Sequence, residues 1–65
     1  MIKETGLKLK ELREEAGMTR RELHEKTGIS IATIIYIEEG TRSTTLETVE
    51  KILIALGHDS DEILR

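Results

Sequence analysis

The segment Thr19–Glu38, TRRELHEKTGISIATIIYIE, decides the fold because it predicts two short helices joined by a tight turn. Each helix has its own start signal: Thr19 and Glu22 have the spacing of a capping box, and Ser30 is suited to be the N-cap of the second helix. Gly28 lies between the two helices and can adopt the positive φ that a tight turn needs. The segment therefore predicts two helices with a fixed hinge.

The composition indicates one small helical domain. A chain of 65 residues is expected to form a single domain, residues 1–65. This length is near the lower limit for folding without disulfides or a structural metal. It contains no Cys, Pro, Phe or Trp, so aliphatic side chains must build the core. We expect no disulfide, metal site or cofactor, which is typical of a reducing cytoplasm. The charged amino terminus and the absence of a long apolar run predict neither a signal peptide nor a membrane span.

The charge is unevenly distributed along the chain. The net charge of −3 is not typical of a protein that binds polyanions. Residues 1–28 carry seven Lys and Arg against six Asp and Glu, whereas residues 29–65 carry three against seven. The basic side chains therefore lie mainly in the first half.

Apolar spacing and capping signals predict five short helices. They are Lys3 to Ala16, Arg20 to Thr27, Ile31 to Glu39, one that begins after Thr44 or Thr45 and closes at Gly57, and a last short helix from Asp59 that carries Ile63 and Leu64. The inward positions should build one core, and Ile29 should join the turn to it. The helical members are Leu9, Leu12, Ala16, Leu23, Ile34, Ile37, Leu46, Val49, Ile52, Leu53 and Leu56.

The order of these pieces resembles the lambda and 434 repressor, Cro and Xre group of helix-turn-helix DNA-binding domains. The matching segments are KELREEAGMT, ELHEKTGIS, I-x-x-I-E-E-G and TLETVEKILIALG, which together cover essentially the whole chain. The resemblance implies an all-α, five-helix domain that binds double-stranded DNA with its third helix in the major groove. It also implies a homodimer and a transcription regulator of the repressor type. The sequence itself predicts no membrane partner, and no small-molecule ligand is evident from it.

Position by position, the resemblance implies one structural pair and two phosphate contacts. Arg13 and Glu38 match the interior ion pair of the family. The start of the second helix, where free N–H groups favour an anion, should contact phosphate through Thr19, Arg20 and Arg21. The loop after the third helix should act as a second phosphate clamp through Thr41, Arg42 and Ser43, although a solvated loop explains these residues equally well.

The outward face of the third helix departs from the family pattern. With Ile34 and Ile37 in the core, the positions expected to face DNA are Ser30, Ile31, Ala32, Thr33, Ile35 and Tyr36. Base edges are read by paired donors and acceptors, which only the Thr33 and Tyr36 side chains offer along the helix. Aliphatic side chains can pack on thymine methyl groups, so we expect weak binding that favours A·T pairs.

Four further positions differ from the family. His24 replaces a small residue at a close helix crossing, where an imidazole needs extra room, and a packed or edge-exposed neutral His is expected. Leu53 also adds volume. Thr44 replaces a proline, and Glu39 replaces a neutral amide that often contacts the DNA backbone.

Three functions agree with the sequence. The first is a DNA-binding regulator of the repressor type. The second is a helix-turn-helix fold used for protein interaction or oligomerisation, suggested by the apolar positions Ile31, Ile35 and Tyr36. The third is an engineered sequence on a repressor scaffold without a selected DNA function. An enzyme is not expected, because the Glu-rich helix faces also carry Lys and Arg and lack a nucleophile.

Overall fold

Residues 2–58 are described in the computed structural model, and they form four α-helices without a strand in that range. The helices are α1 (Ile2–Glu15), α2 (Arg20–Thr27), α3 (Ile31–Glu39) and α4 (Leu46–Ala55). The all-helical prediction is confirmed, but the count of five is not, since these residues supply four. The predicted last helix with Ile63 and Leu64 lies outside the described residues. Among the described helices, none has the length and apolar content to cross a membrane.

The predicted helix boundaries agree closely with the structure because local signals set them. α2 and α3 have the predicted bounds, whereas α1 lies one residue earlier at each end than expected. Of the two candidate starts for α4, the structure uses Thr45, whose side chain accepts a hydrogen bond from the backbone N–H of Thr48.

A buried glycine sets the distance between α1 and α3. Gly6 lies inside α1, where glycine is unfavourable by about 1 kcal/mol relative to alanine. A Cβ atom at this position would overlap the backbone carbonyl oxygen of Ile37 in α3. The glycine therefore permits a close approach of the two helices that any side chain would prevent.

One aliphatic core joins the four helices. Its buried members are Leu9, Leu12, Leu23, Ile34, Ile37, Val49, Ile52, Leu53 and Leu56, and Met18, Ile29 and Ala55 pack against them. Two predicted core residues were wrong. Ala16 is exposed because it follows the end of α1. Leu46 is 57% exposed because it is the first residue of α4, one turn before the buried Val49.

Candidate nucleic-acid interface

The start of α2 is fixed by a complete capping box. The Thr19 hydroxyl oxygen accepts from the Glu22 backbone N–H at 3.1 Å, and the Glu22 carboxylate accepts from the Thr19 N–H at 2.9 Å. Hydrogen bonds from Thr19 lower the pKa of Glu22, and the bond from the backbone N–H has a larger effect than the one from the side chain. Thr19 thus contributes to capping. The backbone N–H groups of Arg20 and Arg21 open the helix at its positive end, where an anion is favoured.

A buried carboxylate joins α1, α2 and α3. Glu38 accepts two hydrogen bonds from Arg13, at 2.7 Å from Nε and 3.1 Å from Nη2, and a third from Arg20 Nε at 2.9 Å. Arg13 Nη1 also donates to the Met18 carbonyl at 2.8 Å, which holds the chain between α1 and α2. The predicted pairing of Arg13 with Glu38 is confirmed, and its geometry is the two-point contact that suits a guanidinium and a carboxylate.

The ionisation of this cluster follows from its contacts. Burial raises the pKa of Glu38, but the hydrogen bonds and charges of Arg13 and Arg20 outweigh burial, so the pKa lies below its usual value. The hydrogen bond to Glu38 raises the pKa of Arg13 despite burial. Glu38 is therefore a charged, fully partnered carboxylate and a structural group.

Sequence reasoning missed the second partner of Glu38. Arg20 was predicted as a phosphate contact alone, yet its Nε lies 2.9 Å from the Glu38 carboxylate. Its side chain keeps 34% of its surface exposed, and the bond to Glu38 uses only the Nε edge of the guanidinium. The sequence places Arg20 at the first position of α2, but its contact with Glu38 depends on how α2 crosses α3.

The turn between α2 and α3 is held by side chains as well as by glycine. Gly28 adopts the left-handed conformation with φ near 77°, and its N–H donates to the His24 carbonyl at 2.8 Å. The Thr27 hydroxyl donates to the Leu23 carbonyl at 2.8 Å and accepts from the Ile29 N–H at 3.1 Å. The backbone N–H groups of Gly28 and Ile29 are therefore both hydrogen-bonded within the turn.

His24 has a role that the sequence did not indicate. Its Nδ1 lies 2.7 Å from the carbonyl oxygen of Ile29, and since a carbonyl only accepts, Nδ1 carries the hydrogen. The half-buried imidazole thus bridges α2 to the residue just before Ser30, the N-cap of α3. The sequence predicts that this ring needs extra room at the helix crossing, whereas in the structure it stabilises the turn by a hydrogen bond.

The beginning of α3 presents apolar side chains beside an internally bonded hydroxyl pair. Ser30 is the N-cap, and its hydroxyl accepts from the Thr33 N–H at 3.1 Å and donates to the Thr33 hydroxyl at 2.8 Å. Ile31 is 37% exposed, and Ala32 and Thr33 are exposed. Ile35 and Tyr36, the two later positions predicted to face outward, are half-buried and not fully exposed.

The loop after α3 is tied to Tyr36. The Arg42 guanidinium carbon lies 4.1 Å from the centre of the Tyr36 ring, a cation–π contact, while the Thr41 N–H donates to the Tyr36 carbonyl at 3.1 Å. Beside this stack is a cavity of about 250 Å³. Its lining is mainly hydroxyl-bearing and comprises Thr33, Tyr36, Ile37, Arg42, Ser43, Thr44, Thr45 and Thr48. Arg42 is thus more restrained than a solvated loop residue.

The two arginine contacts lie on opposite sides of α3. Arg20 contacts Glu38 and Arg42 contacts Tyr36, and residues two apart on a helix differ by about 200° in direction. The outer arc between them carries Ile31 and Ala32, with Glu39 at its C-terminal end. The structure therefore places Arg20 and Arg42 against α3 at the two edges of this arc.

Comparisons with known proteins agree with the helix-turn-helix arrangement. The helix-turn-helix family matches residues 9–63, a range that contains α2, the turn, α3 and α4. An uncharacterized HTH-type transcriptional regulator of Methanothermobacter thermautotrophicus is 39% identical over 54 residues, which span 83% of this chain and 78% of that protein. No solved structure matches the chain.

Proposed function

Since this chain belongs to the helix-turn-helix family, we propose that it binds double-stranded DNA as a transcription regulator of the repressor type. In this proposal the N-terminal half of α3 enters the major groove and the start of α2 contacts phosphate. The observation that carries it is the exposed surface of α3 between two arginines that contact α3 itself, Arg20 through Glu38 and Arg42 through Tyr36.

The charges at this surface suit a duplex even though the whole chain is acidic. Arg20 uses its Nε for Glu38, so the remaining edge of its guanidinium is directed away from that carboxylate and can bind phosphate. Arg21 is exposed beside it, next to the positive end of α2. Arg42 supplies a cation at the far side of α3. Groove edges carry phosphates on both sides, which these positions match.

The DNA complex should be a two-fold dimer on paired half-sites, as the family implies. Sedimentation velocity with one and two half-sites in a duplex measures this directly. Two protomers per duplex that carries both half-sites, and one on a single half-site, are the expected result. A single protomer on the paired duplex would contradict the dimer and leave DNA binding intact.

Salt-dependent duplex binding is the decisive test of the proposed function. Fluorescence anisotropy with a randomised duplex library at about 50 and about 200 mM salt should show much weaker binding at the higher concentration. Replacing Arg21 or Arg42 by glutamine should reduce the slope of log K against log salt by about 0.9 for each phosphate that the variant no longer neutralises. No binding at tens of micromolar protein and low salt would reject the function.

A matched lysine variant separates phosphate contact from net charge. Lys51 is exposed on α4 and borders a second surface depression together with Lys26 and Thr27, at the end of α2 opposite to Arg20. Lys51→Gln changes the net charge by the same amount as Arg42→Gln. It should leave the salt slope unchanged if binding uses the arginine-edged surface.

A further inference from the structure

The polar groups at the start of α3 are largely engaged within the protein. The Ser30 hydroxyl accepts from the Thr33 backbone N–H and donates to the Thr33 hydroxyl oxygen. The Thr33 hydroxyl hydrogen is therefore the uncommitted donor of the pair. The side chains next to them, Ile31 and Ala32, are exposed and cannot hydrogen-bond. This part of α3 is therefore suited to apolar contact.

Tyr36 adds little to the hydrogen-bonding capacity of this surface. Its ring is half-buried and lies under the Arg42 guanidinium, and its backbone carbonyl accepts from Thr41. The phenol oxygen remains a single donor and acceptor at one edge of the arc. Paired donors and acceptors, which discriminate guanine and adenine in the major groove, are not offered by Ile31 and Ala32.

We propose that Ile31 and Ala32 read the C5-methyl groups of thymine in the major groove. The inference rests on the proposed function and names the part of the duplex that the same surface recognises. The thymine methyl is the one apolar group that an unmodified base pair displays in this groove, so an aliphatic face flanked by cations is complementary to it. A G·C pair at the same position would place acceptors and a donor against side chains that cannot pair with them.

The charges beside Ile31 and Ala32 favour DNA over a protein as the occupant. Arg20 and Arg42 flank the aliphatic pair on opposite sides of α3, and two rows of phosphates border a major groove in the same way. The exposed apolar area is also small, since Ile31 keeps 37% of its surface accessible and Ala32 is a single methyl group. Such an area fits one or two methyl groups better than a protein interface core.

Deoxyuridine substitution tests the inference because it removes the methyl group and leaves every hydrogen-bonding group of the base pair in place. Binding to an A·T-rich duplex should weaken about four-fold for each contacted thymine replaced by deoxyuridine. A G·C duplex carrying 5-methylcytosine should bind more tightly than its unmethylated form, because it restores the same methyl group. The Ile31→Ser variant should lose the difference between thymine and deoxyuridine while its salt slope stays unchanged.

The control is Ile54→Ser, which changes an isoleucine that is 71% exposed on α4, beside Lys51, and should keep the thymine preference. Circular dichroism verifies that both variants fold. Equal, salt-sensitive binding to the thymine and deoxyuridine duplexes would overturn methyl reading and leave DNA binding standing. Failure to bind any duplex would overturn both, and self-association abolished by Ile31→Ser would point to a second copy as the occupant.

Discussion

The buried residues of α3, here called its inner side, include the carboxylate of Glu38, whereas its exposed residues, its outer side, include aliphatic side chains. On the inner side, the Glu38 side chain is 3% exposed and accepts three hydrogen bonds from arginines. On the outer side, Ile31 is 37% exposed. A buried carboxylate is unusual among the aliphatic residues of a core, which indicates that specific contacts within the fold hold Glu38 there. Changes on the two sides should therefore affect different properties.

The largest loss of stability is expected from Arg13→Met. The change removes two of the three hydrogen bonds to Glu38 and the bond to the Met18 carbonyl, and leaves a buried carboxylate with Arg20 alone. Breaking such a buried pair costs about 3–5 kcal/mol. A single core in a domain of this size supplies a similar amount, so the variant should be largely unfolded at 25 °C in urea titration monitored by circular dichroism.

Arg20→Gln is the matched control for the inner side. It removes one hydrogen bond from a partly exposed arginine and leaves Arg13 in place, so a loss of about 1 kcal/mol is expected. If the two variants were equally destabilised, Glu38 would depend on both arginines alike, and the description of Arg13 as its main partner would be wrong.

The next effect is expected from Gly6→Ala, which tests the close approach of α1 and α3. Alanine favours the helix by about 1 kcal/mol, but its Cβ would overlap the Ile37 carbonyl, a backbone group that cannot rotate away. Overpacking of this kind costs about 1–3 kcal/mol, so the net change should be destabilising. The neighbouring exposed Leu7, changed to alanine, should alter the free energy of unfolding by less than about 0.5 kcal/mol.

Acid should destabilise the inner side through Glu38. Its pKa is lowered in the folded protein, so the stabilisation is complete above the unfolded pKa of about 4.3 and is lost as the pH falls through the folded pKa. Urea titrations between about pH 6 and pH 3 should show falling stability over this window. Glu38→Gln should flatten the dependence, apart from the smaller part due to Glu22. A variant as pH-sensitive as the wild type would assign the acid response to other carboxylates.

The sequence predicted the helix starts and the core positions of α3 better than the contacts between helices, for a physical reason. Helix starts at Thr19 and Ser30 depend on hydrogen bonds within three residues, and the helical period identifies Ile34 and Ile37 as core. The contact between Arg20 and Glu38 depends instead on how helices cross, and 18 residues separate the two. Local patterns do not encode such distances.

Two other features of the site were beyond sequence reasoning because they depend on the path of the chain. His24 was judged by volume, while its hydrogen bond to the Ile29 carbonyl depends on the turn bringing that oxygen back to α2. Arg42 was predicted either to contact phosphate or to belong to a solvated loop, and its position over Tyr36 depends on how the chain leaves α3. One contact lies just before the N-cap of α3, and the other joins α3 to the loop that follows it.

A moderate loss of stability is expected from His24→Ala. The change removes the hydrogen bond to the Ile29 carbonyl and should cost about 1 kcal/mol. Asparagine can place an N–H donor near the position of Nδ1, so His24→Asn should recover part of the loss. Equal stabilities for the alanine and asparagine variants would mean that packing of the ring, rather than its hydrogen bond, accounts for the effect.

The smallest change in stability is expected on the outer side, from Glu39→Gln. Glu39 is exposed at the C-terminal end of α3, where a carboxylate is mildly unfavourable, so the variant should be equal to the wild type or more stable by less than about 0.5 kcal/mol. Binding to duplex DNA should nevertheless strengthen, because the variant removes a negative charge from the arc between Arg20 and Arg42. Glu11→Gln on α1 changes the net charge equally and separates the local effect from the global one. If both variants bound DNA with equal affinity, Glu39 would lie away from phosphate. The part of α3 that contacts DNA would then not extend to its C-terminal end.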